Sequence, residues 1–545
     1  MDSETLWDAC SVAKGLDVIN QSRLRTLEYL KELLDSYHGE HRSQRYYDLL
    51  VGDWIESYIH LIYFAWREVL TEKVSPEYLP IPVVSDSIAY TKLCFQQGAQ
   101  LKKHLKGSVA CLLKGDSVHN WNFESESVWV TSRCRDKLLF RLLRIFPARY
   151  EVLAVYPYFK CSRSEWIVAL WRWRGWLSWN NLQYPIGFSA QLDTAWRRAR
   201  ASAAGASNDF DGLLRVLLPL HLPVILLEGF TNYRNAVLAL PVARPKAVYS
   251  ANALHGHMTF KFLVAEWHQY GTQLLYHQCG GGFGIDRIHV LEDFEVRVSD
   301  HYYTWGWRRD EQHVKPLSAP PPRTPRRFQK WLMLSCVDFP QVAFRLLFQP
   351  IPGGGVETMH SQTCDFLASL PVLDNLLIRP YPCDYGWGFV DMMREAAPEA
   401  TIDDFSVASF VRYAESRLVI HNYLGTSWLE TLALNIPTVC FYDTAVYAFR
   451  EVAQPFIDAL ERVGVLHRSG IAAARFVSEI EKKPKTWWNQ PDVQEARRNF
   501  VEHYANFSPD WMKQWECEFK GVIKEQMLND KQSKLHRNQC HKKDI

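Results

Sequence analysis

Gly425, Thr426 and Ser427 stand between a short apolar run, Leu418 to Ile420, and an apolar-periodic stretch that begins at Trp428. A glycine, two hydroxyls and the first N–H groups of a helix suit a phosphate, because the unpaired amides and the helix dipole both favour negative charge. Ser427 and Glu430 have the S-x-x-E spacing of a capping box, so Glu430 reads equally as a cap and as a ligand-facing carboxylate. His421 ends the apolar run at the same edge and reads as a structural or a nucleotide-facing imidazole. A second glycine-bearing turn, Cys279-Gly280-Gly281-Gly282-Phe283-Gly284, follows another apolar run, Thr272 to Tyr276. Glycines there let backbone approach a ligand closely. His38, His41, Arg42 and Arg45 form a basic cluster that reads either as an anion site or as solvated charges at a helix start.

These turns need elements to hold them. The runs Leu418 to Ile420 and Thr438 to Tyr442 flank a helix carrying Leu429, Leu432 and Ala433 on one face, and Asn435 and Pro437 end it. That is a βαβ unit, so its strands are parallel and its ligands belong outside their carboxyl ends. Strand and helix signals alternate on both sides of Ser318 to Arg327, a Pro- and Arg-rich stretch that reads as a linker. Strands are expected at 222–227, 246–250, 272–276, 294–299, 302–307, 331–335 and 376–379. Helices are expected at 24–34, 46–70, 87–106, 232–240, 260–270, 357–370, 453–463, 472–480 and 492–504. The Trp- and Arg-dense segment Trp166 to Trp179 reads as a buried helix, with an acceptor-binding or membrane-surface patch as the alternative.

The boundaries expected from this are an α/β domain with a helical start at 1–317, a linker at 318–327, a second α/β domain at 328–520 and a polar, frayed tail at 521–545. A chain of 545 residues, 47% hydrophobic and 22% charged, has length for two or three domains with sizeable cores. Its net charge of +2 gives no footing for nucleic acid. Twelve cysteines without a C-x-x-C pair point to a reducing compartment. No secretory signal is legible and the most apolar stretch, Leu213 to Phe230, is too broken to span a bilayer, so a cytoplasmic protein is expected.

Longer motifs carry a resemblance. YHGEHRSQRYY (37–47), VSDHYYTWGW (298–307), RPYPCDYGW (379–387), HNYLGTSWLETLALNIPT (421–438) and WWNQPDVQEARRNFVEHYA (487–505) resemble a family of transferases from bacterial surface-carbohydrate (O-antigen and capsule) gene clusters. That family is distantly similar to the GT-B glycosyltransferases that use CMP-activated Kdo. The resemblance implies an α/β, GT-B-like fold: two Rossmann-like domains facing a cleft, with helical N-terminal and C-terminal additions. It implies that the first domain takes the acceptor and the second the nucleotide sugar. Glu228-Gly229-Phe230 resembles the carboxylate-Gly-Phe of the Kdo enzymes, while Arg379-Pro-Tyr-Pro and Thr426-Ser427 resemble their CMP-facing elements. Relatives show Gln-His-Gly-Gly where this chain has Gln278-Cys279-Gly280-Gly281, and a thiol cannot replace imidazole as a cation. Relatives also open with a strand and loop that have no counterpart here.

The function this implies is sugar transfer from a nucleotide donor, such as a CMP-Kdo-like one, to a surface glycan or lipid-linked acceptor, with peripheral association at the inner membrane face. Glu228 is the expected nucleophile of a retaining route, and Asp384 the expected general acid or base or else a turn former beside Gly386. Cys279, Gly280, Gly281, Arg379, His421, Thr426, Ser427 and Glu430 are the expected donor contacts. No D-x-D pair stands in a strand-end loop, so no metal and no cofactor is expected. The alternatives are an impaired scaffold that kept the fold, supported by Cys279, and a nucleotide-sugar epimerase of the same shape.

Overall fold

The structure, a computed structural model, describes residues 9–72, 74–132, 150–157, 163–205, 209–323, 325, 327–341, 354–371 and 375–540. Thr324 and Arg326 of the linker and residues 541–545 of the tail lie outside them. Two long helices, Ala9–His38 and Gln44–Thr71, come first, and the second is buried along most of its length. Its Gly52 is where Phe294 packs: a Cβ there would sit 2.1 Å from the Phe294 ring.

Fourteen strands are assigned among the described residues. They are β1 Ser127–Ser132, β2 Val152–Val155, β3 Leu177–Trp179, β4 Ile186–Gln191, β5 Ala247–Ser250, β6 Gln273–His277, β7 His301–Thr304, β8 Val314–Pro316, β9 Trp331–Ser335, β10 Leu376–Arg379, β11 Thr401–Ile402, β12 Ser416–His421, β13 Thr438–Phe441 and β14 Leu466–His467. β1 and β4 form a small antiparallel pair. The rest form two six-stranded sheets, in the orders β3-β2-β5-β6-β7-β8 and β11-β10-β9-β12-β13-β14. Every pairing within both is parallel. Each sheet therefore has a point where the strand order reverses, between β2 and β5 and between β9 and β12. Ligands of open α/β sheets bind outside the carboxyl ends at such points. This is the expected GT-B-like arrangement of two Rossmann-like halves.

Two expected strands are not strands. Leu222 to Leu227 follows the helix Phe210–His221 and makes one 3-10 turn at Val224–Leu226. Its Val224 and Ile225 N–H groups donate to Val84 O and Ser85 O. A short buried apolar run does not distinguish strand from turn, and Pro223 starts the turn. Residues 294–299 lie mostly in the helix Val290–Val298, capped by His289, whose Nδ1 accepts from Glu292 N at 3.1 Å. The expected 87–106 helix is two helices, Ser87–Gln96 and Gly98–Leu113.

The tail expected from 521 onward is helical as far as Cys540 rather than frayed. The helix Trp511–Cys540 returns to the first sheet, where Trp511, Trp515, Phe519, Val522 and Ile523 pack with Tyr249, Leu275 and Tyr303. Trp515 stacks on Trp173 and donates from Nε1 to Ser318 O at 2.8 Å. Ser318 to Pro320 are thereby buried rather than a loose hinge. The Trp-rich segment is buried on one side only. Ala169 and Trp173 face the core, whereas Ile167, Val168 and Trp171 are exposed. In the basic cluster, Arg42 pairs with Glu40 and Arg45 with Asp300.

Candidate functional site

The carboxyl edges of the two sheets meet around a cleft of about 710 Å³. The first half contributes Phe95, Asn252, His255 and the Cys279–Gly281 turn after β6. The second contributes Ser335 to Pro340 after β9, Arg379 to Pro382 after β10, Phe405, and Thr426, Ser427 and Glu430 after β12. Seven expected contacts, Cys279, Gly280, Gly281, Arg379, Thr426, Ser427 and Glu430, therefore line one cavity.

The two glycine turns do not merely face each other; they touch. Gly281 N donates to Thr426 Oγ1 at 2.9 Å. A Cβ on Gly281 would lie 2.5 Å from Gly425 C and 2.7 Å from Thr426 N, so only glycine permits this backbone approach. The halves meet again where Arg287 N donates to Ala448 O and Arg450 N to Ile285 O, both at 2.9 Å. Arg450 also pairs with buried Glu292 at 2.8 Å. His289 lines the cleft beside this junction. Burial, aided by Arg450, holds its pKa down to about 3, so it is neutral at pH 7.

The helix after β12 is Thr426–Ala433, and its N-cap is Gly425, with no side-chain cap bond. The expected capping box is thus absent. The helix begins one residue before Ser427, which puts both hydroxyls in the first turn and leaves Glu430 on the cleft wall. Asn435 ends the helix as expected, at φ +55°, and its Oδ1 accepts from Trp488 Nε1 at 2.8 Å.

Three expected site residues are elsewhere. Glu228 is gripped by Arg197 through two bonds, Nε to Oε1 at 2.7 Å and Nη2 to Oε2 at 2.8 Å. Arg197 Nη1 meanwhile ties down Pro219 O and Leu222 O. With its carboxylate committed to a buried ion pair and outside the cleft lining, Glu228 is a structural residue of the first half. Asp384 is exposed, and its Oδ1 accepts from Gly386 N at 2.8 Å, which is the turn-forming role. His421 is 1% exposed, with Nε2 3.1 Å from Thr431 Oγ1. Burial lowers its pKa to about 3, so it backs the turn as a neutral ring. Arg379 lines the cleft, but its Nη1 is bound to Asp403 and to Val407 O, so much of its charge is already met.

One carboxylate on the cleft wall falls outside the expected set, and two buried polar side chains stand behind it. Asp338, three residues past β9, lines it, and its Oδ1 accepts from Phe339 N and from His360 Nε2, both at 2.8 Å. His360 is buried and stacks on Phe389 with ring centroids 3.8 Å apart. Asn422 ties the β9 and β12 loops together, accepting from Val337 N at 3.0 Å and donating to Thr363 Oγ1 at 3.2 Å. A carboxylate just after a strand is a signal the sequence carried. Asn422 and His360 carried none, because their partners are distant in the chain.

No curated protein sequence matches the chain. Among solved structures, TarM matches over 52% of this chain and 56% of its own, at 10% identity and a TM-score of 0.34. MurG of Acinetobacter baumannii matches over 69% and 99%, at 12% identity and a TM-score of 0.35. A mutant O-GlcNAc transferase of Thermobaculum terrenum matches over 94% and 99%, at 12% identity and a TM-score of 0.37. Likenesses this distant say nothing of substrate. The family comparison is of another order: residues 4–519 match the LIC12162 family transferase, and the chain belongs to that family of transferases.

Proposed function

We propose that the protein is a glycosyltransferase that carries a sugar from a nucleotide donor to a glycan or lipid-linked acceptor. The observation behind this is the cleft between two parallel sheets, with a hydroxyl-bearing helix start from one half touching a glycine turn from the other. The second half, 328–520, takes the donor. Its phosphate is met by Thr426, Ser427 and the helix N-terminus, and Glu430 faces the ribose or sugar hydroxyls. A CMP-linked sugar of the Kdo kind suits this reading, since the helix start then meets one phosphate rather than two. The first half, 1–317, takes the acceptor between Phe95 and the 252–255 loop. A surface glycan built at the cytoplasmic face of a membrane is the matching acceptor; among the described residues no helix is long and apolar enough to cross one.

Asp338 replaces Glu228 and Asp384 as the carboxylate for chemistry. It lines the cleft from the loop after β9, at the reversal point of the second sheet, and His360 holds it in one orientation. A carboxylate so placed serves as general base toward the acceptor hydroxyl. A thermal-shift screen of the full chain against CMP-, UDP-, GDP- and CDP-sugars tests the donor reading. Stabilisation by one nucleotide class supports it, and no shift with any of them refutes it.

One observation favours a second reading, a non-catalytic scaffold. Thr426 Oγ1 already accepts the Gly281 N–H, and Cys279 puts a thiol in the adjacent turn. Nucleotide binding without transfer to any acceptor would select this reading.

A further inference from the structure

Just past the two-residue edge strand β11, the chain does something costly. Phe405 has φ +60°, the left-handed region that a bulky side chain adopts only when its surroundings impose it. The imposing group is Asp403, whose carboxylate is fully buried. Its Oδ1 accepts from Phe405 N at 3.2 Å and from Arg412 Nη2 at 3.3 Å, and its Oδ2 accepts from Arg379 Nη1. One carboxylate thus holds two arginines and the strained backbone together.

The result is a phenyl ring on the cleft wall that is 39% exposed. The Arg379 guanidinium carbon lies 5.0 Å from its centroid, over one face. A cation on one face leaves the other as a flat apolar surface, and Tyr413, Ser409 and Glu430 line the cleft with it. Glycine or asparagine would take this backbone conformation at little cost and expose no ring.

We propose that Phe405 is the stacking platform for the nucleobase of the donor, positioned by the Asp403 hub. This rests on the nucleotide-donor reading and adds to it the residue that reads the flat ring. Arg379 then acts less as a phosphate counter-ion than as the cation that fixes the platform.

The test is calorimetric titration of the full-length chain with CMP, UMP, GMP and AMP, using wild type and Phe405→Gly, Phe405→Leu and Phe405→Trp. Loss of a base–aromatic stack corresponds to about a 5- to 150-fold weaker affinity. The Gly and Leu variants should show that loss for the nucleotide wild type prefers, while the Trp variant stays within about threefold of wild type. The Gly variant should melt no lower than wild type, because it relieves the left-handed strain. Wild-type affinity in the Gly variant overturns the platform and leaves the donor reading standing. Wild-type affinity in the Leu variant overturns it too, since an apolar branch would then suffice. If wild type binds none of the four nucleotides, both this inference and the donor reading fall.

Discussion

Replacing Gly281 with alanine tests whether the contact between the two turns holds the cleft in its closed form. The new Cβ would sit 2.5, 2.7 and 2.9 Å from Gly425 C, Thr426 N and Gly425 O, all backbone atoms of the other half. Backbone cannot swing aside as a side chain can, so the halves must separate locally. Overpacking of this kind costs about 1–3 kcal/mol. Losing the Gly281 N–H bond to Thr426 adds about 0.5–1.5 kcal/mol. A ligand gripped by both halves should then bind about 10- to 2,000-fold more weakly, the two terms together being about 1.5–4.5 kcal/mol. Small-angle scattering should show a larger radius of gyration, and hydrogen exchange should quicken at Gly281. Gly425→Ala is the control. Its Cβ would meet the Tyr423 ring at 1.8 Å, inside the same half, so it should disturb the local turn without separating the halves. If Gly281→Ala matches wild type in compactness, exchange and ligand affinity, the turns are not the closing contact and the reasoning fails.

Four further outcomes are expected. Glu228→Ala should destabilise the protein by about 3–5 kcal/mol, because it strands the buried Arg197 charge, while Glu228→Gln should melt lower yet keep its turnover; loss of turnover at an unchanged melting temperature would return Glu228 to the chemistry. Asp338→Asn should lower turnover about 10²- to 10⁴-fold with donor affinity little changed, and full turnover would remove Asp338 from the mechanism. Cys279→His should raise transfer, by up to about 10²- to 10³-fold if the imidazole donates to the donor; an active wild type with a dead mutant would give the thiol a role of its own. His277, His289 and His421 are fully buried, with pKa values held down to about 3 by burial from a usual 6.5. Above pH 6.5 both folded and unfolded states are neutral there and stability is full. Below it only the unfolded chain binds these protons, so stability falls by about 1.4 kcal/mol per group per pH unit down to pH 3. The three together remove about 6 kcal/mol by pH 5, so melting temperatures should be flat from pH 7 to 8 and drop steeply below 6.5. A melting temperature that holds constant down to pH 4.5 would contradict their burial as neutral rings.

Much of the fold was legible because its signals are local. Apolar runs of strand length alternating with 3.6-periodic stretches made two parallel α/β halves the expectation, and β5, β6, β9, β10, β12 and β13 fall where that pattern put them. The turn at Gly425 to Ser427 was legible for the same reason, since strand, glycine, hydroxyls and helix follow one another directly. Leu222 to Leu227 shows the limit. Six buried apolar residues are compatible with strand or turn, and what chose the turn was the pairing of Val224 and Ile225 with residues 84 and 85.

What the tertiary structure alone decided is which polar groups face each other. In sequence Glu228 reads as a nucleophile; in the fold Arg197, 31 residues earlier, holds both its oxygens. The Gly281–Thr426 bond spans 145 residues, and the Asp338–His360 and Asp403–Arg379 pairs join separate elements of the second sheet. A charged side chain carries the same letter whether it is satisfied by a partner or presented to a ligand. The difference lies in desolvation and in the partner's position, and both are set by packing rather than by spacing along the chain.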